Sequence, residues 1–192
     1  MFMKYFLYFL VPLLLSLGLT PLVRAVALKC GFISYPRAER WHKKPTAIFG
    51  GVAIYLAAVI SALAFIPWSR SLAGLLTGAT FLFIVGVADD KIRLTPYFKL
   101  FTQIIAAAIA VFSGAVLGLP VNNILLVPLT LVWIVGITNS FNLLDNIDGL
   151  AAGIAAISSL LLFFSSFIFS YNPLGNFALI LAGAALGFLV YN

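Results

Sequence analysis

Seven long apolar runs, at about residues 5–23, 48–66, 71–88, 99–118, 121–138, 149–170 and 174–190, constrain this chain more than any other feature. Most of them approach the ~20 residues that an α-helix needs to cross the hydrocarbon core of a bilayer. Only 8% of the 192 residues are charged, against roughly 25% in an ordinary soluble domain. No polar stretch between the runs is long enough to make a soluble domain of its own. The runs are continuous rather than alternating, which excludes a β-barrel. The expected fold class is therefore all-α: a polytopic transmembrane helical bundle of about seven spans, forming a single domain over residues 1–192. The runs at 121–138 and 174–190 are short, so their ends are the least defined. The first run, preceded by Lys4, is long and is followed by six basic residues, which reads as a retained span rather than a cleaved leader.

The rare charges are not scattered. All eleven Lys and Arg precede residue 100. Arg24, Lys29, Arg37, Arg40, Lys43 and Lys44 follow the first run, Lys91, Arg93 and Lys99 follow the third, and Arg70 stands alone between. The positive-inside rule puts the first and third loops in the cytoplasm, and alternation brings the stretch 139–148 to the same face. The net charge of +6 then reads as loops facing anionic lipid, not as a nucleic-acid site. Cys30, the single cysteine, can form no internal disulfide and has no metal-site spacing. Gly74/Gly78, Gly114/Gly118 and Gly183/Gly187 have the small-xxx-small spacing of closely packed membrane helices.

Four of the five acidic residues form two pairs, each at the end of an apolar run. Charge near a bilayer core is costly, so such clusters are functional candidates. Three constellations result. His42-Lys-Lys-Pro-Thr-Ala-Ile-Phe-Gly-Gly51 runs from the first basic loop into the second span, where Lys43 or Lys44 can meet an anion and the glycines let backbone approach a ligand. Asp89 and Asp90 are adjacent carboxylates, which repel unless a cation or proton lies between them. Mg²⁺ suits them, since it is held by one or two carboxylates together with substrate phosphates. Downstream, Lys99 and Gln103 are four apart and face one way on a helix. In the third constellation Asn139 and Asn142 precede Asp145 and Asp148, each pair three apart and each expected on one side of a helical turn. Gathered on one membrane face, these groups imply a metal-assisted reaction on a phosphorylated substrate.

In this order, the three motifs resemble the polyprenyl-phosphate N-acetylhexosamine-1-phosphate transferase family. The family pattern His-x-x-Pro-Thr-Pro-x-x-Gly-Gly corresponds to residues 42–51, with Ala47 in place of the second proline. The Asp-Asp motif with downstream Lys and Gln corresponds to Asp89, Asp90, Lys99 and Gln103. The pattern Asn-x-x-Asn-x-x-Asp-Gly-x-Asp-Gly-Leu-Ala corresponds to residues 139–151, with Asn146 in place of a glycine. The short segment between Asp90 and Lys99 is more similar to the N-acetylglucosaminyl branch than to the muramoyl-pentapeptide branch. Family members continue into a further Asp motif and a His-rich loop. Gly187–Asn192 looks like the approach to that Asp motif, so the chain is expected to be an N-terminal fragment, inactive by itself.

The resemblance implies transfer of a HexNAc-1-phosphate from a UDP-N-acetylhexosamine to undecaprenyl phosphate, with release of UMP, at the cytoplasmic face of the inner membrane. It implies Mg²⁺, with Mn²⁺ as a substitute, held by Asp90 and Asp89, Asp89 also orienting or deprotonating the lipid phosphate. His42, Lys44, Lys99 and Gln103 become substrate-binding residues, as do Asn139, Asn142, Asp145 and Asp148 around the nucleotide. Membrane lipid is the other expected partner, and a homodimer is compatible with the sequence. Three alternatives differ in their chemistry. An intramembrane Mg²⁺-dependent prenyltransferase uses wider acid spacing, a secondary transporter puts its charges near the bilayer midplane, and a non-catalytic membrane subunit needs neither.

Overall fold

The computed structural model describes residues 2–29, 33–34, 46–47, 50–92, 94–145, 147–168 and 173–192. Its helices are α1 (Phe2–Lys29), α2 (Gly50–Phe65), α3 (Arg70–Ile92), α4 (Pro96–Phe112), α5 (Asn123–Leu144), α6 (Leu150–Ile168) and α7 (Pro173–Leu189). Each corresponds to one apolar run. Between α1 and α2 a short antiparallel ladder joins β1 (Ile33–Ser34) to β2 (Thr46–Ala47), pairing Ile33 with Ala47 and Ser34 with Thr46. Helices α1, α3, α5 and α6 are long and apolar enough to cross a membrane. Helices α2, α4 and α7 have 16, 17 and 17 residues, or about 25 Å at 1.5 Å per residue, a little under the ~30 Å hydrocarbon core.

Several helix ends differ from the apolar runs, each for a local reason. Helix α3 continues past Ala88 and carries Asp89 and Asp90 in its last turn. Helix α4 starts three residues before its run, because Thr95-Pro96 supplies an N-cap hydroxyl, accepting from the Phe98 N–H at 3.4 Å, and a proline in the first turn. It stops at Phe112, with Ser113 as its C-cap and Gly114 at φ 99°. Gly114 and Gly118 therefore lie in a loop, and their spacing is not a helix-packing motif. Helix α5 starts at the Asn122 cap, whose side chain accepts from the Leu125 N–H at 3.1 Å. It runs through the polar residues to Leu144, so Asn139 and Asn142 are helical.

The chain divides into two compact units, Met1–Pro67 with Leu144–Asn192, and Trp68–Leu143. In the first unit α7 packs along α1, α2 and α6, and α1 also packs on α2. Its core is dominated by small side chains: Ala53, Ala57, Ala62, Ala182, Ala184 and Ala185 are fully buried, as are Ser16 and Ser61, with Pro12 and Ile180 the largest residues among them. Large apolar residues such as Leu14 and Leu161 point outward. This inverts the soluble pattern, because lipid tails are as apolar as leucine and helix association rests on close backbone approach. The approach is closest where Gly183 and Gly187 of α7 face the carbonyls of Phe9 and Leu13 on α1. Tyr5 stacks edge-on against Phe163 and Phe167, and the Tyr8 hydroxyl donates to the Phe65 carbonyl at the end of α2 at 3.2 Å.

The second unit is a closely packed α3–α4 hairpin with α5. Gly74 faces Ser113, and Gly78 lies against the Ala106 carbonyl. Arg70 donates to the Phe112 carbonyl at 3.1 Å, satisfying one of the free acceptors at the end of α4.

The α1–α7 contact leaves no room for a methyl group. Gly183→Ala and Gly187→Ala are each expected to destabilise the protein by about 1–3 kcal/mol through overpacking. Gly153→Ala, on α6 with nothing within 4 Å of the new carbon, is expected to be neutral or stabilising. Ser61, whose buried hydroxyl has no hydrogen-bond partner among the described residues, is expected to tolerate Ser61→Ala with a gain of about 1 kcal/mol. Thermal unfolding of the four variants in detergent checks all three expectations.

Candidate active site

The α3–α4 junction puts negative charge where a helix least favours it. The C-terminal end of a helix carries a partial negative charge, and an acid there costs about 0.3–1 kcal/mol unless it is compensated. Asp89 is compensated twice. Its Oδ1 accepts the Leu94 N–H at 2.8 Å, and its Oδ2 is 2.6 Å from Lys99 Nζ. The Asp89 side chain is 25% exposed and that of Lys99 38% exposed, so the pair is wet at its edge and its net worth is small. Asp90, the next residue, is exposed at the same helix end. The tight turn at Leu94-Thr95-Pro96 delivers Lys99 to Asp89 across a gap of ten residues.

One turn further along α4, Gln103 is buried and bonds to α5. Asn139 Nδ2 donates to Gln103 Oε1 at 2.8 Å, and Gln103 Nε2 donates back to Asn139 Oδ1 at 3.4 Å. Asn142 is exposed on the last turn of α5. The second unit thus gathers Asp89 with Lys99, and Gln103 with Asn139, on the ends of α3, α4 and α5.

The remaining candidates fall elsewhere. Asp145 and Asp148 belong to the first unit, in the turn that enters α6. They are exposed and do not lie on a helix, which corrects the expectation of one helical turn. The reason is Gly149, at φ 70°, where the backbone takes a left-handed conformation before α6 begins. His42 and Lys44, with their neighbour Lys43, lie outside the described residues.

The Leu94 backbone N–H, which holds Asp89, is invisible in residue type. Thr95-Pro96, by contrast, carries a signal in its N-cap hydroxyl and first-turn proline, and marks the start of α4.

The residues at this helix end fit Mg²⁺ chemistry. Hard oxygen donors are present in the adjacent carboxylates of Asp89 and Asp90 in the last turn of α3. Among the described residues no group of three or more His, Cys, Asp or Glu forms a complete metal cage. Such a site suits an ion that completes its coordination with substrate phosphates and water.

The sequence profile of Glycosyl transferase family 4 matches residues 72–192, which cover α3 from its third residue, α4 to α7, and every described candidate residue. Among curated proteins, the chain is 31% identical over 194 residues to one from Bacillus subtilis (strain 168) named "Probable undecaprenyl-phosphate N-acetylglucosaminyl 1-phosphate transferase". That match covers 96% of this chain and 54% of the relative. A decaprenyl-phosphate N-acetylglucosaminephosphotransferase of Mycolicibacterium smegmatis is 30% identical, over 88% of this chain and 49% of its own. A phospho-N-acetylmuramoyl-pentapeptide-transferase of a Thermoanaerobacter species is 33% identical, over 78% and 54%. The chain spans about half the length of the curated relatives it matches. With a profile match across most of its length and these relatives, the chain belongs to glycosyl transferase family 4.

Proposed function

We propose that this protein takes part in transferring an N-acetylhexosamine-1-phosphate from a UDP-sugar to a polyprenyl phosphate, undecaprenyl phosphate in the first instance, at the cytoplasmic face of the inner membrane. The observation that carries this reading is the ion-paired Lys99 beside exposed Asp90 at one helix end, in a chain similar to polyprenyl-phosphate sugar-phosphate transferases. An oxygen of the lipid phosphate attacks the β-phosphorus of the UDP-sugar. The bond from that phosphorus to the bridging oxygen breaks, and UMP leaves with the electron pair. The products are a polyprenyl diphosphate-linked sugar and UMP.

The roles follow from the chemistry available. A phosphate monoester has its second pKa at about 6, so the lipid phosphate is mostly ionised near neutral pH and needs little help from a base. Asp89, with both oxygens engaged, holds the Lys99 ammonium at the α3–α4 junction. This departs from its expected role as base for the lipid phosphate. Lys99 then meets phosphate oxygens. Asp90 would hold Mg²⁺, whose charge would offset that developing on the diphosphate. On the same unit, Asn142 supplies a hydrogen-bonding group for the nucleotide. A carrier would put its charges midway along broken helices, whereas Asp89 and Asp90 lie in the last turn of an unbroken α3.

Release of UMP from UDP-N-acetylglucosamine and undecaprenyl phosphate tests the reading, measured for residues 1–192 and for any longer chain that contains them. Lipid-dependent, EDTA-sensitive UMP from either supports it. Silence from both, with N-acetylgalactosamine and N-acetylmuramoyl-pentapeptide donors also tried, contradicts it. In the active form, Asp90→Asn and Lys99→Met are each expected to lower kcat by about 10²-fold or more. Asp89→Asn, which keeps one hydrogen-bond acceptor for Lys99, is expected to cost about tenfold. Equal losses in Asp89→Asn and Asp90→Asn would overturn this division of roles. None of these variants is expected to change unfolding stability by more than about 1 kcal/mol, because the ion pair is partly solvated.

A further inference from the structure

The amide pair between α4 and α5 has no place in the transfer step. Gln103 is 4% exposed, so its carboxamide depends on partners within the protein. Asn139 provides both a donor and an acceptor, at 2.8 and 3.4 Å. The second proton of Asn139 Nδ2 goes to the Val135 carbonyl at 3.1 Å. Both protons and the oxygen of Asn139 are therefore committed to the protein, as is the Gln103 oxygen, leaving little to offer a ligand.

The position of the pair gives it a different use. On α5, the residues classed as buried are Leu126 and Thr130, both in its first half. Thr130 accepts the Leu117 N–H at 3.2 Å and ties that half to the preceding loop. From Thr130 to Asn139 the helix advances about 13 Å, and over that length no residue is fully buried. The amide pair ties the far half of α5 to α4. It lies one turn from Lys99 on α4 and one turn from Asn142 on α5.

We infer that Gln103 and Asn139 are positioning residues, whose reciprocal amide pair fixes the height and rotation of the last turns of α5 against α4, and with them Asn142 relative to Lys99. They are not nucleotide contacts. The functional part of this inference rests on the transfer reading above, in which Lys99 and Asn142 handle substrate. The structural part does not.

Exchange of the two amides separates the roles. Gln103→Asn shortens one arm and Asn139→Gln lengthens the other, and the double variant restores the summed length. Each single variant is expected to lower the unfolding temperature, and the double variant to recover most of the loss. In turnover, each single variant is expected to lose about tenfold or more in kcat through misplaced groups. KM for UDP-N-acetylglucosamine should change by less than about threefold, because a ground-state contact is not lost. The double variant should regain most of kcat.

A raised KM that the exchange leaves unrepaired would identify the amides as ligand contacts and overturn the inference. So would additive losses of unfolding temperature. Recovery of stability without recovery of kcat would reduce the pair to a packing feature, which also overturns it. If neither residues 1–192 nor a longer chain containing them releases UMP with any of the three donors, the transfer reading fails. The unfolding temperatures then decide the bracket alone, non-additive recovery supporting it and additive loss overturning it.

Discussion

A charge at the edge of a bilayer persists only if something nearby neutralises it, and the second unit of this protein depends on that constraint. Asp89 stands at the unfavourable end of the α3 dipole. It is held there by a backbone N–H from Leu94 and the ammonium of Lys99. Those two contacts define the path of the α3–α4 turn. The turn in turn sets the start of α4, which places Lys99 and Gln103 on successive turns of one helix face. Buried carboxylates are replaceable by apolar residues when they serve stability alone. This one is only partly buried and contributes little to stability, in keeping with the part in phosphate transfer proposed for its Lys99 partner.

The first unit is held by different means. Its helices α1, α2 and α7 associate largely through alanine, serine and glycine, and the backbones approach until Gly183 and Gly187 meet the carbonyls of α1. Orphan hydroxyls at Ser16 and Ser61 are tolerated because a small side chain is what the gap requires. One unit is thus held by close backbone packing. The other combines a packed α3–α4 hairpin with a more sparsely buried α5, joined by polar contacts at two heights.

Much of this was legible in the residues. Continuous apolar runs are a strong signal, because only a helix satisfies its own backbone in lipid, and all seven runs became helices. The junctions were less legible. Hydropathy ends where the polar residues begin, so it stopped short of Asp89 and Asn139, although both are helical. The capping signal at Thr95-Pro96 extended α4 in one direction, and Ser113-Gly114 cut it in the other. Spacing placed Lys99 and Gln103 correctly on one face, yet it could not show that Gln103 is turned to a partner amide. It also misled at Asp145 and Asp148, where a three-residue interval looks helical until Gly149 takes a positive φ. Partner choice and backbone donors are tertiary facts, and residue types alone do not carry them.

The central claim is that the bond broken lies between the two phosphates of the nucleotide, not between the sugar and its phosphate. UDP-N-acetylglucosamine carrying radiophosphorus in its β-phosphate tests this directly, when incubated with the protein, undecaprenyl phosphate and Mg²⁺ and then partitioned between solvent and water. The account predicts that the label moves into the lipid fraction while unlabelled UMP stays in the water. Label that remains in the aqueous phase as UDP, with sugar appearing on the lipid, would contradict it.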